Sequence, residues 1–165
     1  MATTKNAGAG ILSEANAAKR EEIVELLTQA YWMEMETVMS YLANGSNLDG
    51  IRAEEVAEAL DEDVNEELGH ARAFARRIKE LYGTPPGSAE FSSTQSFLQP
   101  PADSADVATV IRGVIEAESG AIEHYNRIIE ATDGVDWATQ DMVIDILRDE
   151  EGHLRKFERY LREFD

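Results

Sequence analysis

The chain has 165 residues, 43% of them hydrophobic and 29% charged, with no cysteine and a net charge of −18. This length fits one domain with a buried core, and the lack of cysteine excludes disulfides, thiolate zinc sites and thiol nucleophiles. Fifteen Lys and Arg against 33 Asp and Glu argue against a nucleic-acid partner, which needs a basic footprint, and suit a protein that gathers cations; solubility or adaptation to high salt accounts for the charge equally well.

The opening MATTKNAGAG has no apolar h-region, and no apolar run in the chain is long enough to span a bilayer. The expectation is a cytoplasmic protein with no membrane partner: a flexible tail over residues 1–12, then one domain over 13–165. A first helix is expected from about residue 13 to 43, with Ser13 as N-cap, followed by a turn at NGSNLDG. A second runs from about 51 to 82, and Gly83 reads as its stop. All four prolines, Pro85, Pro86, Pro100 and Pro101, fall within residues 83–103, a stretch also rich in Ser and Gly, which reads as a connection. A third helix opens near Ser104 or Asp106 and ends near Thr132. After TDGVD a fourth runs from about Trp137 to the end. Apolar residues recur at three- and four-residue steps throughout and never in sustained alternation, so the fold class is all-α. The order short loop, long loop, short loop implies two antiparallel hairpins joined by one long crossover, with helices two and three parallel in a four-helix bundle.

Each helix carries a carboxylate in its core-facing stripe. Helix one reads Leu27, Ala30, Tyr31, Glu34, Val38, Tyr41. Helix two reads Leu60, Val64, Glu67, His70, Phe74, Ile78. Helix three gives Ile111, Val114, Glu118, Ala121, Tyr125, and helix four Ile146, Leu147, Glu150, His153, Phe157. One buried carboxylate is costly and four converging ones repel strongly. Two divalent ions cancel four carboxylates, and carboxylate with imidazole suits iron or manganese, with zinc and cobalt as mimics. A Glu–His pair three apart on each of two helices, with one Glu from each of the other two, is a di-iron carboxylate pattern. The spacing repeats: Glu34 to Tyr41, Tyr41 to Glu67 and Glu67 to His70 are 7, 26 and 3 residues, and Glu118 to Tyr125, Tyr125 to Glu150 and Glu150 to His153 are 7, 25 and 3. A satisfied polar network without metal is the bland alternative, and six inward polar groups repeated in register make a poor core.

These segments, EMETVMSY from Glu34, EELGH from Glu66, EAESGAIEHY from Glu116 and ILRDEEGH from Ile146, resemble the ferritin-like superfamily over residues 20–163, and bacterioferritins in particular. The resemblance implies a ferritin-like four-helix bundle with two Fe ions per subunit. Glu34 with His70 would be terminal ligands of one iron and Glu118 with His153 of the other. Glu67 and Glu150 would bridge, and Tyr41 and Tyr125 would hydrogen-bond to ligand carboxylates. The implied activity is a ferroxidase of iron-storage type, oxidising Fe(II) with O2 or H2O2. A non-storage redox enzyme on the same fold, a rubrerythrin-like peroxidase or a manganese catalase, is the alternative. Leu68 stands where bacterioferritins carry a haem-binding Met, so no haem is expected. Twelve residues follow His153, too few for the fifth helix of bacterioferritins, and the expectation is a homo-oligomer, a dodecamer or dimer in preference to a 24-subunit cage.

Other residues carry bland readings. His124 lacks a Glu three residues back and is expected to face solvent. Trp32 and Trp137 read as packing or interface residues, and Met33, Met35 and Met39 as core or dimer contacts. Glu62, Glu66, Asp149 and Glu151 flank the ligands and read as cation-guiding groups or a solvated face. Asn44-Gly45-Ser46 matches a glycosylation sequon but reads as a turn.

Overall fold

A computed structural model describes residues 10–164; of the tail expected over residues 1–12, residues 1–9 lie outside the described residues, and Gly10–Leu12 form a 3-10 turn that buries Ile11. Helix α1 spans Ala17–Asn47, α2 Ile51–Glu80, α3 Val107–Thr132 and α4 Trp137–Leu161, and short 3-10 turns occupy Gly10–Leu12, Glu14–Asn16, Ser88–Glu90 and Ser96–Leu98. There is no strand among the described residues.

Side-chain pairs fix the directions. On α1 and α3, His124 bonds to the Leu26 carbonyl, Tyr125 to Glu34 and Tyr41 to Glu118. From Glu34 to Tyr41 along α1 the partner on α3 falls from Tyr125 to Glu118, so the two are antiparallel. On α2 and α4, Asp63 pairs with Lys156, Glu66 with His153, His70 with Asp149 and Arg77 with Thr139, again antiparallel. The tight turn after Asn47 makes α1 and α2 a hairpin, so α2 and α3 run parallel, as the loop order predicted.

The crossover lies along α1. Glu36 accepts from the backbone N–H of Thr94 and Gln95, Asn44 donates to the Leu98 carbonyl and Asn47 to the Pro101 carbonyl. Buried Glu36 is thereby satisfied and holds the loop to the helix. The same contacts explain why α1 runs past the boundary expected at residue 43. Asn44 also donates to the Ser40 carbonyl, and a Cβ at Gly45 would sit 3.6 Å from the Ala57 carbonyl oxygen, so NGSN packs as helix; the turn is confined to residues 48–50.

Several ends are set locally. Asp106 and Asp136 cap α3 and α4 by accepting from the N–H groups of Thr109 and Thr139, and Arg77 reaches across from α2 to Asp136 at 2.8 Å. Ser13 makes no capping bond from its side chain, and α1 instead begins at Ala17. At the end of α2 the left-handed residue is Tyr82, φ +67°. Gly83 is demanded by space: a Cβ there would meet Val24 at 2.8 Å and Ile78 at 2.9 Å.

Two apolar clusters fill the bundle. One centres on Ile23, Leu27, Phe74, Ile78, Ile128 and Val143, the other on Val56, Leu60, Leu98, Ile111, Val114 and Phe157. Burying each large side chain contributes about 1.5–3 kcal/mol, and the two clusters flank a belt of buried charged groups midway along the bundle.

Candidate metal centre

All six residues singled out as candidate ligands meet in that belt. One donor atom from each of Glu34, Glu67, His70 and Glu150 lies within 4.8 Å of the others, and the same holds for Glu67, Glu118, Glu150 and His153. The two groups share Glu67 and Glu150. His70 Nδ1 is 3.2 Å from Glu67 Oε2, 3.1 Å from Glu150 Oε1 and 3.7 Å from Glu34 Oε1. His153 Nδ1 is 3.2 Å from Glu67 Oε1, 3.3 Å from Glu150 Oε2 and 4.0 Å from Glu118 Oε1. Each shared carboxylate therefore turns one oxygen to each imidazole.

The outer edge of each ring is also held. His70 Nε2 faces Asp149 at 3.3 Å and His153 Nε2 faces Glu66 at 2.9 Å. A carboxylate on Nε2 fixes the ring and leaves Nδ1 pointing inward as the donor atom. Glu66 and Asp149, which the sequence left between cation guides and a solvated face, thus pair with the histidines. The tyrosines act crosswise: Tyr41 of α1 donates to Glu118 of α3, and Tyr125 of α3 donates to Glu34 of α1.

Protonation shows how the site balances its charge. Burial, with the nearby charges of Glu150 and Glu67, raises Glu34 well above the usual carboxylate range. Burial and the same two charges raise Glu118 likewise. For Glu150 burial acts upward, but bonds with His153 and His70 more than offset it and bring the pKa down to about 2; Glu67 is lowered in the same way. Burial acts downward on the imidazoles, yet Glu150 and Glu67 bring His70 up to about 10 and His153 up to about 12. The picture is two neutral carboxylic acids, two carboxylates and two imidazolium ions. Four protons thus occupy the place of four positive charges.

The donor set fits two divalent cations. Four carboxylates and two imidazoles supply oxygen and nitrogen ligands of the hardness iron and manganese accept. Glu67 Oε1 and Glu150 Oε1 are buried and make no well-aligned hydrogen bond; each faces an imidazole Nδ1, of His153 and His70 respectively, and a cation between them would use those lone pairs.

Two further residues were not legible as part of this site. Asp63, one turn before Glu67, is 2% exposed and 3.8 Å from His153 Nε2. Lys156, three residues after His153, holds Asp63 at 2.7 Å. The i, i+4 spacing of Asp63 to Glu67 was the available signal, hidden by the neighbouring Val64 in the apolar stripe. His124, expected in solvent, is buried, with its Nε2 on the Leu26 carbonyl at 2.8 Å. It is a helix-to-helix tie that a reading of His as a ligand or a surface group overlooks. Trp32 packs between Tyr31 and Phe91, whereas Trp137 is 71% exposed.

Comparison with known proteins bears on the family and the fold. The DNA protection during starvation protein of Pyrococcus furiosus is 28% identical over 154 residues, covering 91% of this chain and 82% of that protein. The bacterioferritin of Desulfovibrio desulfuricans is 26% identical over 141 residues, covering 85% and 74%. Among solved structures, the dodecameric thioferritin of Bacteroides fragilis, a bacterioferritin-related protein, superposes with a TM-score of 0.77 at 26% identity, covering 88% of this chain and 87% of that one. The family model of the ferritin-like domain matches residues 24–165. With four helices, one long crossover and a belt of paired Glu and His at mid-bundle, the chain belongs to the ferritin-like family.

Proposed function

We propose that the chain is a ferroxidase of iron-storage type, which takes two Fe(II) ions as substrate at this centre and passes their electrons to O2 or H2O2. The observation that carries the reading is the pair of shared carboxylates, Glu67 and Glu150, each with one oxygen toward each histidine. Glu34 with His70 holds one ion and Glu118 with His153 the other. Two ions oxidised together release two electrons, which with two protons reduce O2 to H2O2, or H2O2 to two waters. The four protons displaced on loading leave from the residues that bind the ions.

Assembly is read from α1. Between Tyr31 and Leu48 the charged residues are Glu34 and Glu36, and both are buried. In a chain of net charge −18 this stretch offers solvent an uncharged stripe, with Met39 58% and Leu42 49% exposed. Copies that repel elsewhere can meet there, and the dodecameric bacterioferritin-related relative supports a homo-oligomer. The centre is complete within one chain, so assembly and oxidation are separable. No helix among the described residues is long and apolar enough to cross a membrane, consistent with the cytoplasmic localisation proposed for the chain.

The test is anaerobic Fe(II) titration followed by mixing with O2 or H2O2, read by ferric absorbance in stopped flow. Saturation at two ions per chain, then oxidation far faster than in buffer, is expected. Saturation at one ion, or oxidation at the buffer rate, overturns the reading. Iron retained far beyond two ions per chain after gel filtration separates storage from a catalytic redox enzyme.

A further inference from the structure

The two halves of the centre match group for group until the wall behind each histidine. The counterpart of Glu66 on His153 is Asp149 on His70. Asp63 lies four residues before Glu67; the position four before Glu150 is Ile146. Lys156 lies three after His153; the position three after His70 is Ala73. One half thus has an ion pair between buried Asp63 and half-buried Lys156 where the other has two apolar side chains. The extra carboxylate is close: Asp63 Oδ1 is 3.8 Å from His153 Nε2 and 2.7 Å from Lys156 Nζ. Its second oxygen is buried without a hydrogen-bond partner.

Charge bookkeeping shows what the lysine does. Behind His70 stands one carboxylate, Asp149, with its side chain 54% exposed. Behind His153 stand two, Glu66 and Asp63, and Asp63 is shielded from water. Without a counter-charge, the His153-side position would carry one more buried negative charge than its partner. A dication a few ångströms away would feel that difference strongly at the low effective dielectric of a buried site.

We propose that Lys156 sets the cation affinity of the His153-side position: its ammonium cancels the charge of Asp63 and keeps that position from holding its ion tighter than the His70-side position does. The proposal rests on the di-metal reading above. Lys156 and Asp63 are positioning residues that act through His153 and the local field. In a ferroxidase the consequence is release: an ion held on one side by an uncancelled carboxylate would leave that side late.

The experiment uses the full chain and Co(II), whose visible absorption reports binding, in anaerobic titrations of wild type, Lys156→Met, Asp63→Asn and the double variant, with Lys156→Arg as the charge-preserving control. Lys156→Met should tighten one of the two binding steps, on the order of a thousandfold for one uncancelled charge acting on a dication roughly 8 Å away at an effective dielectric of about 20. Asp63→Asn, which leaves the ammonium unopposed, should weaken the same step by a similar factor. The double variant should return to within about threefold of wild type, and Lys156→Arg should match wild type. Adding Glu118→Gln, which removes a ligand of the His153 side alone, should abolish the step that moved. A merely structural ion pair predicts losses of the same sign in both single variants. That outcome, or an unchanged affinity in Lys156→Met, or equal shifts in both steps, overturns the proposal. If wild type itself fails to take two Co(II) ions, the di-metal reading fails instead, which separates the two.

Discussion

The α1–α2 hairpin and the α3–α4 hairpin each bring a Glu, a Tyr and a Glu–His pair at matching spacing, yet neither hairpin holds a site. Tyr41 of the first serves Glu118 of the second, and Tyr125 of the second serves Glu34 of the first. His70 leans on Asp149 and His153 on Glu66, again across the divide. Each hairpin therefore supplies ligands whose orientation the other determines. The halves differ where no shared ion imposes likeness: Asp63 and Lys156 stand opposite Ile146 and Ala73. What two cations need is duplicated, and what tunes one cation is not.

The largest expected effects test the shared part. Glu67→Ala and Glu150→Ala each remove oxygens that face both histidines, so each should bring iron oxidation to the buffer rate and eliminate both binding steps. Glu34→Ala and Glu118→Ala should each remove mainly one step, measured by the stoichiometry of anaerobic Fe(II) binding. Equal, mild losses at all four positions would show that the duplication does not divide into shared and private ligands.

Proton linkage comes next. With His70 up to about 10, His153 up to about 12, and Glu34 and Glu118 raised by burial, the metal-free centre holds four protons near neutral pH, two in each half. Ions must displace them, so affinity falls as pH falls, by roughly a hundredfold per pH unit for two protons per ion. Calorimetry of Zn(II) binding in buffers of different ionisation enthalpy should give about two protons released per ion. Release of none would mean that the histidines and carboxyls give up no protons to the metal and that the charge balance described here is wrong.

The crosswise tyrosines give a smaller effect. Tyr41→Phe and Tyr125→Phe each leave one ligand carboxylate without its donor, and the loss of such an outer partner costs about ten- to a hundredfold in metal affinity. The direction distinguishes the halves: Tyr41→Phe, though on α1, should weaken the ion bound by Glu118, and Tyr125→Phe the ion bound by Glu34. Pairing each variant with Glu118→Gln or Glu34→Gln and finding the effect in the same hairpin as the tyrosine would break the crosswise assignment.

How much of this could be read from the chain follows from the kind of signal each part leaves. Helix periodicity and the Pro-rich stretch gave four helices and the crossover, because apolar faces and missing N–H groups act locally. The six carboxylate and imidazole positions stood out as polar residues inside apolar stripes, repeated at fixed spacing. The crosswise pairing of Tyr41 and Tyr125 left no mark in the spacing, since either tyrosine could have served its own hairpin. Nothing in the spacing distinguishes Glu36 from a surface acid, and its role depends on where the backbone of Thr94 and Gln95 lands. Asp63 with Lys156 and the burial of His124 were invisible for the same reason: each is decided by a partner on another helix. The end of α1 was misplaced because NGSN has turn chemistry by composition, and tertiary contacts at Asn44 and Gly45 override it.

The smallest effect concerns the metal-free protein. Four ionised carboxylates at mid-bundle would repel strongly, and replacing two of them by amides would then raise stability. The protonation pattern says otherwise. Glu34, with its raised pKa, is hydrogen-bonded to Glu67, and Glu118, likewise raised, to Glu150, while Tyr125 and Tyr41 donate to Oε1 of Glu34 and of Glu118. A glutamine reproduces both bonds, with its NH2 in place of the acid O–H and its oxygen still accepting from the tyrosine. Glu34→Gln with Glu118→Gln should therefore move the melting temperature of the metal-free protein by only about 2–4 °C, equivalent to about 1 kcal/mol for a domain of this size. The same variant should lose the stabilisation that Fe(II) gives the wild type under anaerobic conditions, about 2.7 kcal/mol at a hundredfold excess over the dissociation constant. A large rise in the metal-free melting temperature would mean that the carboxylates are ionised and mutually repelling. A large fall would mean that the amides cannot take over the acid hydrogen bonds. Either result would contradict a centre whose two halves are each held neutral by protons until cations replace them.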